Sequence, residues 1–506
     1  MAASFGIYFG STSACLAVCK DGKADVIAND TGDRTMPTIV SYTDHDQSVG
    51  LPAKQGIIRN ASNTISNVKK FLGKSCDDQE VKEIMEKNSV KIVNEDGQPV
   101  FEVMYKGKPV KVTPVQIATA IYKKMMDTAQ SHGGIADSHD AVITVPLHFT
   151  QEQKDATSEA ATKGGFHVLR IISEPAAAVL AYDIGQNSRG SSCSTNILVY
   201  RLGGTSLDAT VLTVCNGIYR VVASDQNKEI GGHMIDESII DYFAAEFKKQ
   251  WKVDCKQNSR SVMKLRNASE NCKHILSRMQ TAQCSVESLY EGIDFQSTIS
   301  RSRLEGLCTS FLQNCTGSLQ TVLDKARMKR DDIHKVIISG GCTMLPSIQQ
   351  QLKDFFPQAE LLSSISPDQV IAVGASKQAA ILSGLDDVLI QKNNEEMNLQ
   401  CLPMDLLIKL SEDGSYMPVM ERHTPVPAKI QQNIQLSQEQ DSICLKICSR
   451  YSMSEEPQCL AQIVLKDLSR GATVNAQYIV KRDGSLSVTC TEPTTKKSEH
   501  VVIECS

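Results

Sequence analysis

Two widely separated stretches of this chain read as the same hairpin: Phe5-Gly6-Ile7-Tyr8-Phe9-Gly10-Ser11-Thr12-Ser13 and Leu198-Val199-Tyr200-Arg201-Leu202-Gly203-Gly204-Thr205-Ser206. In each, an apolar strand runs into glycines and hydroxyls and leaves as another strand, Cys15–Val18 in the first and Ala209–Val214 in the second. Glycine reaches dihedrals closed to other residues and leaves room beside the backbone, so N–H groups at such a tip can point at an anion. Either stretch alone is equally a tight hairpin. Together they can clamp a polyphosphate from opposite sides. A third glycine turn, Ile338-Ser339-Gly340-Gly341-Cys342-Thr343, follows a strand and precedes a helix, which fits a nucleoside at a helix N-terminus.

At 506 residues the chain exceeds one hydrophobic core, since cores stop growing near roughly 250–300 residues. Strand-like and helical runs alternate in the first part, the pattern of an α/β domain. Asp140–Pro146 reads as a buried strand, and the helix after it starts where Thr150 and Gln153 form a capping box and stops at Lys163-Gly164-Gly165. Val168–Ile172 is the next strand, and the small polar residues 186–195 form a loop between two halves. The second half holds a long helix from Ser261 to about Met279, a strand at Val336–Ile338 and a helix near Leu345–Phe355. Polarity rises at Asp386–Asn398, where the linker is expected. Beyond it the period falls to two in Asp441–Cys448, Cys459–Lys466 and Ile479–Cys490, with Asp483-Gly484 as a hairpin turn, so the last part is a small all-β domain.

The formal net charge of -5 is spread along the chain, which argues against a polyanion-binding surface and direct DNA binding. Met1-Ala2-Ala3-Ser4-Phe5 lacks the features of a secretory signal, and no apolar run approaches the roughly 20 residues that span a bilayer; a cytosolic protein without membrane contact is expected. Seventeen cysteines are scattered without a CxxC pair, so buried free thiols are expected. Cys15/Cys19 and Cys444/Cys448 share C-x3-C spacing, but no further Cys or His pair follows at zinc-site distance, and no metal site is expected there.

These segments resemble the nucleotide-binding domain of the seventy-kilodalton heat-shock (DnaK-type) chaperones over roughly residues 4–384. The likeness extends to Asn63-Thr64, Val68–Gly73, Ile172–Ala178, Ile230-Gly231-Gly232, Leu265–Lys273 and Pro367–Ala375. It implies an α/β, actin-like (ribonuclease H-like) two-lobed domain at 1–384, with lobe I over about 1–187, lobe II over about 188–365 and a closing helix at 366–384. A linker at 385–400 and a truncated β-sandwich at 401–506 would follow. The implied cofactor is ATP, with Mg2+ at a weakened site. By resemblance, Lys69 matches the catalytic lysine and Glu174 the carboxylate that orients magnesium and water. Glu270, Lys273 and Ser277 match the adenosine contacts, and their spacing puts them on one helical face. Gly10, Ser11, Thr12, Gly203, Gly204, Thr205, Gly231, Gly232, Gly340, Gly341 and Asp368 complete the implied nucleotide contacts, and Asp208 is retained. Without the resemblance, Lys69 reads as a solvated helix residue and Glu174, before Pro175, as a helix N-terminal charge.

The departures bear on activity. Tyr8 and Arg201 stand where the family has aspartates that organise magnesium and potassium, Thr205 replaces a third glycine, and Met344 replaces an arginine that packs on adenine. Arg201 has two places to go: against phosphate, taking over charge neutralisation, or out to solvent, leaving a damaged site. Either way hydrolysis should fall, since a catalytic group is commonly worth about 10^2–10^4 in rate.

The sequence stops at Ser506, with room for a reduced β domain and none for the family's helical lid. That combination resembles a divergent, Ssz-type branch, whose members work in the ribosome-associated complex with a zuotin-type J-domain protein and assist a second, active heat-shock chaperone on emerging polypeptides. The favoured reading is a non-hydrolysing chaperone subunit. Its rivals are an ATP-driven peptide chaperone and a metabolite kinase on the same fold.

Overall fold

The computed structural model describes residues 3–20, 23–132, 138–184, 195–215 and 218–383, and beyond them 402, 404–409, 416–420, 424, 426–437, 440–450, 456–481 and 484–503. Of the loop expected at 186–195, residues 186–194 lie outside these residues, as does the linker expected at 385–400, while Thr195 already opens a strand. The chain forms two compact units: residues 1–217 with 221–384, and 385–506 with the short stretch Ile218–Arg220.

The first unit is built twice on one plan. In its first half the sheet runs Lys23–Val26, Ser13–Lys20, Ser4–Phe9, Asp140–Val145, His167–Ser173. In its second half the order is Ile218–Asn227, Leu207–Cys215, Thr195–Leu202, Lys335–Ser339, Glu360–Leu362. Each is an antiparallel meander whose first strand also pairs in parallel with a strand far along the chain. The internal repeat seen in the sequence is thus the leading hairpin of a repeated sheet. Parallel partners need helical crossovers, which cover both faces and make the central strands apolar throughout. Ser4–Phe9 is buried at every position, and Thr195–Leu202 is buried from Ile197 onward.

Local signals place the helices. Thr150 Oγ1 accepts from the Gln153 N–H at 3.4 Å while Gln153 Oε1 accepts from the Thr150 N–H at 3.0 Å, starting the helix Gln151–Lys163. Ser173 caps Glu174–Ala181 with Pro175 in the first turn. The helix Val370–Ser383 crosses that helix and the strand Ser4–Phe9 very closely. A Cβ on Gly374 would stand 1.7 Å from the Ala177 carbonyl oxygen, and one on Gly6 2.0 Å from the Ser376 nitrogen. Only glycine permits these approaches, and they fix the helix that carries Glu174.

In the second unit one sheet is ordered Met417–Met420, Asp405–Lys409, Ile443–Arg450, Gln458–Leu465 and the other Ala428–Gln435, Thr473–Val480, Leu486–Thr491, Ser498–Ile503. Alternate residues of both, among them Leu406, Leu445, Ile447, Val474, Tyr478 and Val488, share one apolar core. Val480 pairs with Leu486, closing the expected hairpin, with Gly484 at φ 81°; Asp483 lies outside the described residues. Among the described residues no helix is long and apolar enough to cross a membrane, and the cysteines are free thiols, buried except for Cys444 and Cys459.

Candidate functional site

The two glycine hairpins close in the same way: the Gly10 N–H donates to the Ser13 carbonyl at 3.0 Å and the Gly203 N–H to the Ser206 carbonyl at 2.9 Å. Their tips meet across the first unit. A Cβ on Gly204 would lie 2.5 Å from Thr12 Cγ2, so the glycine is what lets the tips approach. The start of the helix Gly232–Trp251 locks onto the second tip, with the Gly232 N–H donating to the Gly203 carbonyl and the His233 N–H to the Gly204 carbonyl, both at 3.0 Å. Around Gly232 the expected elements converge: a Cβ there would stand 2.5 Å from Cys342 Sγ, 3.3 Å from Lys273 Nζ and 3.5 Å from Gly204 Cα. In the third turn Gly340 takes φ 89° against the Leu202 carbonyl and donates to the Pro367 carbonyl at 2.8 Å, which brings Asp368 alongside. Such a cradle of glycines and backbone N–H groups suits a phosphate-bearing ligand.

Beneath the tips, the residues at matching positions of the two hairpins face one buried cluster. Arg201 Nε lies 2.9 Å from Glu174 Oε2, and its Nη2 pairs with Asp208 and donates to Ser206 Oγ at 2.9 Å. Its Nη1 donates to the Tyr8 hydroxyl at 3.4 Å. Lys69 Nζ lies 2.8 Å from Glu174 Oε1 and 5.6 Å from the ring centres of both Tyr8 and Phe149. The sequence left Arg201 a choice between phosphate and solvent; it takes neither. Asp208 is its direct partner across the antiparallel ladder, so the guanidinium turns inward onto a carboxylate supplied by its own hairpin.

Burial sets the electrostatics. It pushes the Tyr8 phenol up to about 12, against the pull of Arg201. It also lifts the Glu174 carboxyl, but the charges of Arg201 and Lys69 outweigh it and hold that group below the usual carboxylate range. For Lys69, burial outweighs the attraction of Glu174 and lowers the ammonium pKa. Arg201 stays charged, because Asp208 and Glu174 overcome its desolvation. Two cations and two carboxylates thus balance. Removing one member would leave a buried charge uncompensated, at about 3–5 kcal/mol.

The helix Ser259–Arg278 supplies the remaining expected residues. Glu270 forms an ion pair with Lys54 of the other lobe at 2.7 Å, and although burial lifts its carboxyl, His274 and Lys54 bring it down to about 2. Lys273 pairs with Asp236 at 2.7 Å. Ser277 donates to the His274 carbonyl at 2.7 Å, a bond within its own helix.

The family model described as Hsp70 protein matches residues 4–506. The chain belongs to the Hsp70 family. It is 42% identical to heat shock 70 kDa protein 14 of Danio rerio, with 99% of each chain covered. With the protein of the same name from Homo sapiens the identity is 41%, again over 99% of each chain, and with that from Xenopus tropicalis 40% over the same shares. The doubled sheets are therefore the two-lobed, actin-like nucleotide-binding fold of Hsp70 chaperones, followed by a β domain, and the family binds ATP or ADP.

Sequence reasoning missed Phe149, Lys54, Asp236 and His148. The first three are partners supplied from far along the chain, invisible to any local pattern. His148 sits beside Glu174, Arg201 and Asp208, lining a small recess with them. Ser206 ends the second tip, just before the strand Leu207–Cys215, and its Oγ lies 3.1 Å from Asp208 Oδ2.

Proposed function

We propose that this Hsp70-family chaperone holds ATP with little or no hydrolysis and serves as a subunit beside a zuotin-type J-domain protein. In the cytosol the pair would form a ribosome-associated complex that helps a second, active Hsp70 act on emerging polypeptides. The observation that carries this reading is the Arg201 guanidinium bridging Glu174 and Asp208. An ATPase of this fold needs carboxylates free to position metal and attacking water, and here both are committed to a cation.

The nucleotide fits the residues present. Gly10, Ser11, Thr12, Gly203, Gly204, Thr205, Gly231 and Gly232 would hold the phosphates through backbone N–H groups, and Glu270, Lys273, Ser277, Gly340, Gly341 and Asp368 the nucleoside. Tight glycine approaches at Gly10, Gly204, Gly231 and Gly232 support that assignment. A carboxylate-bound Mg2+ does not fit: a hard dication needs oxygen ligands with negative charge to spare, and the cluster formed by Glu174, Asp208, Lys69 and Arg201 has none. Tyr8 adds a neutral phenol. Lys69, Glu174 and Asp208 are nonetheless all in place, which favours ATP-driven peptide binding as the second reading.

The test uses the full chain purified under native conditions. Extraction should release ATP, single-turnover phosphate release should stay near background, and a J-domain protein should co-purify. Brisk phosphate release that disappears in Lys69→Ala would overturn the proposal in favour of the second reading.

A further inference from the structure

We propose that Cys448 and Cys459 form a redox-operated thiol pair in the C-terminal β unit, a modification site for low-molecular-weight disulfides of the glutathione class. The two residues are direct partners in the antiparallel ladder between Ile443–Arg450 and Gln458–Leu465. Residues facing each other in such a ladder have Cα atoms roughly 4.5–5.5 Å apart and side chains on one face, within the roughly 4.4–6.8 Å that a disulfide accepts. The register slips beside the pair: Ile447 faces Ala461 while Cys448 faces Cys459, so Leu460 is passed over as a bulge. Bulges bend a strand and re-aim its side chains. The Cys459 thiol donates to the Ala461 carbonyl at 3.6 Å, a weak bond on its own strand that leaves its sulfur available.

Their surroundings divide the chemical roles. Ile443, Leu445 and Ile447 point into the apolar core, and Cys448, one residue out of step, lies on the opposite face. There it is 2% exposed, covered by its neighbours, whereas Cys459 on the edge strand is exposed. Burial pushes the Cys448 thiol up to about 11, against the pull of Lys409 and Lys446, which face each other across the neighbouring ladder, so Cys448 rests as a protonated thiol. Cys459 is the reachable nucleophile and Cys448 the resolving thiol, the arrangement of thiol sensors. Cys444, at C-x3-C spacing from Cys448, is not part of the pair and accepts from the Gln462 amide at 2.8 Å. Cys272 and Cys284 touch, but both are 1% exposed and closed to a reagent.

The chemistry balances as two exchange steps. Cys459 thiolate attacks one sulfur of oxidised glutathione, forming a mixed disulfide and expelling one glutathione thiolate. Cys448 then loses its proton and attacks the Cys459 sulfur, forming the protein disulfide and expelling the second. The protein gives up two electrons and the reagent takes them. The closed loop is short, and a crosslink over such a loop opposes opening of the edge strand by about a hundredfold in equilibrium.

The full chain is equilibrated in glutathione buffers from reduced to oxidised, its free thiols are alkylated, and its peptides are analysed by mass spectrometry. A Cys448–Cys459 crosslinked peptide should accumulate toward the oxidised end, and amide exchange across Gln458–Leu465 should slow by up to about a hundredfold. Cys448→Ser should instead trap glutathione on Cys459, and Cys444→Ser should leave the crosslink intact. Full alkylation of Cys459 in oxidised buffer overturns the proposal, as does a wild-type chain that carries glutathione there just as Cys448→Ser does. Unchanged exchange in the crosslinked chain would refute the clamp.

Discussion

The two glycine hairpins share length, register and closing hydrogen bond, yet the position before the tip meets opposite fates in them. In the first hairpin Tyr8 faces Cys15 across the ladder, and in the second Arg201 faces Asp208. The second hairpin carries its own counter-charge, so Arg201 is satisfied before any ligand arrives. The first carries none, and Tyr8 settles as a neutral phenol under its neighbour's guanidinium. A conserved backbone plan therefore does not secure conserved chemistry: the cross-strand partner decides what a substituted side chain can do.

The strongest way to break this asymmetry is to restore oxygen ligands at both positions. Tyr8→Asp with Arg201→Asp should raise Mg2+-dependent phosphate release by about 10^2–10^4, read in a single-turnover assay. A flat response would locate the loss in the tips themselves. Next in size is removal of the counter-charge. Asp208→Ala strands Arg201 on Glu174 alone and should cost about 3–5 kcal/mol in denaturant unfolding of the nucleotide-binding unit. Its positional twin Cys15→Ala deletes a buried thiol and should cost only about 1 kcal/mol.

The Tyr8 phenol gives a pH signature. Its folded pKa is raised from 10.0 to about 12, so its contribution is whole below pH 10 and is lost as pH rises through about 12. Tyr8→Phe should therefore be the flatter of the two in stability over that window, a difference of about 3 kcal/mol at most. Equal slopes would mean that the phenol titrates freely. The smallest effect is expected at the Lys54–Glu270 pair. Lys54→Ala cuts a half-exposed pair with Glu270 and should speed release of a fluorescent nucleotide by no more than about fivefold. The Glu270 folded pKa is depressed to about 2, so the pair is fully present above the ordinary carboxylate range and should weaken as pH falls toward 2.

Much of the fold was legible because its signals are local. The capping box at Thr150 and Gln153 lies within four consecutive residues, the two-residue alternation in Ile443–Arg450 records one buried face, and the glycines of both tips announce close approach. The doubled order of the sheets was less so, since only the leading hairpins keep a shared sequence pattern while the later strands share nothing but apolar character. For the site, residue type alone singled out Tyr8 and Arg201 but not what they touch.

By itself the sequence determined the family, the places where glycine must stand and the exchange of two carboxylates for a phenol and a guanidinium, because each is a matter of residue type and spacing. Tertiary structure alone decided that Arg201 turns inward to Glu174 and Asp208, that Lys54 reaches Glu270 from the other lobe, and that Cys448 faces Cys459 across a strand ladder. These are choices among partners distant in the chain, set by which strands lie side by side and which charges share a buried volume, and no local pattern encodes them.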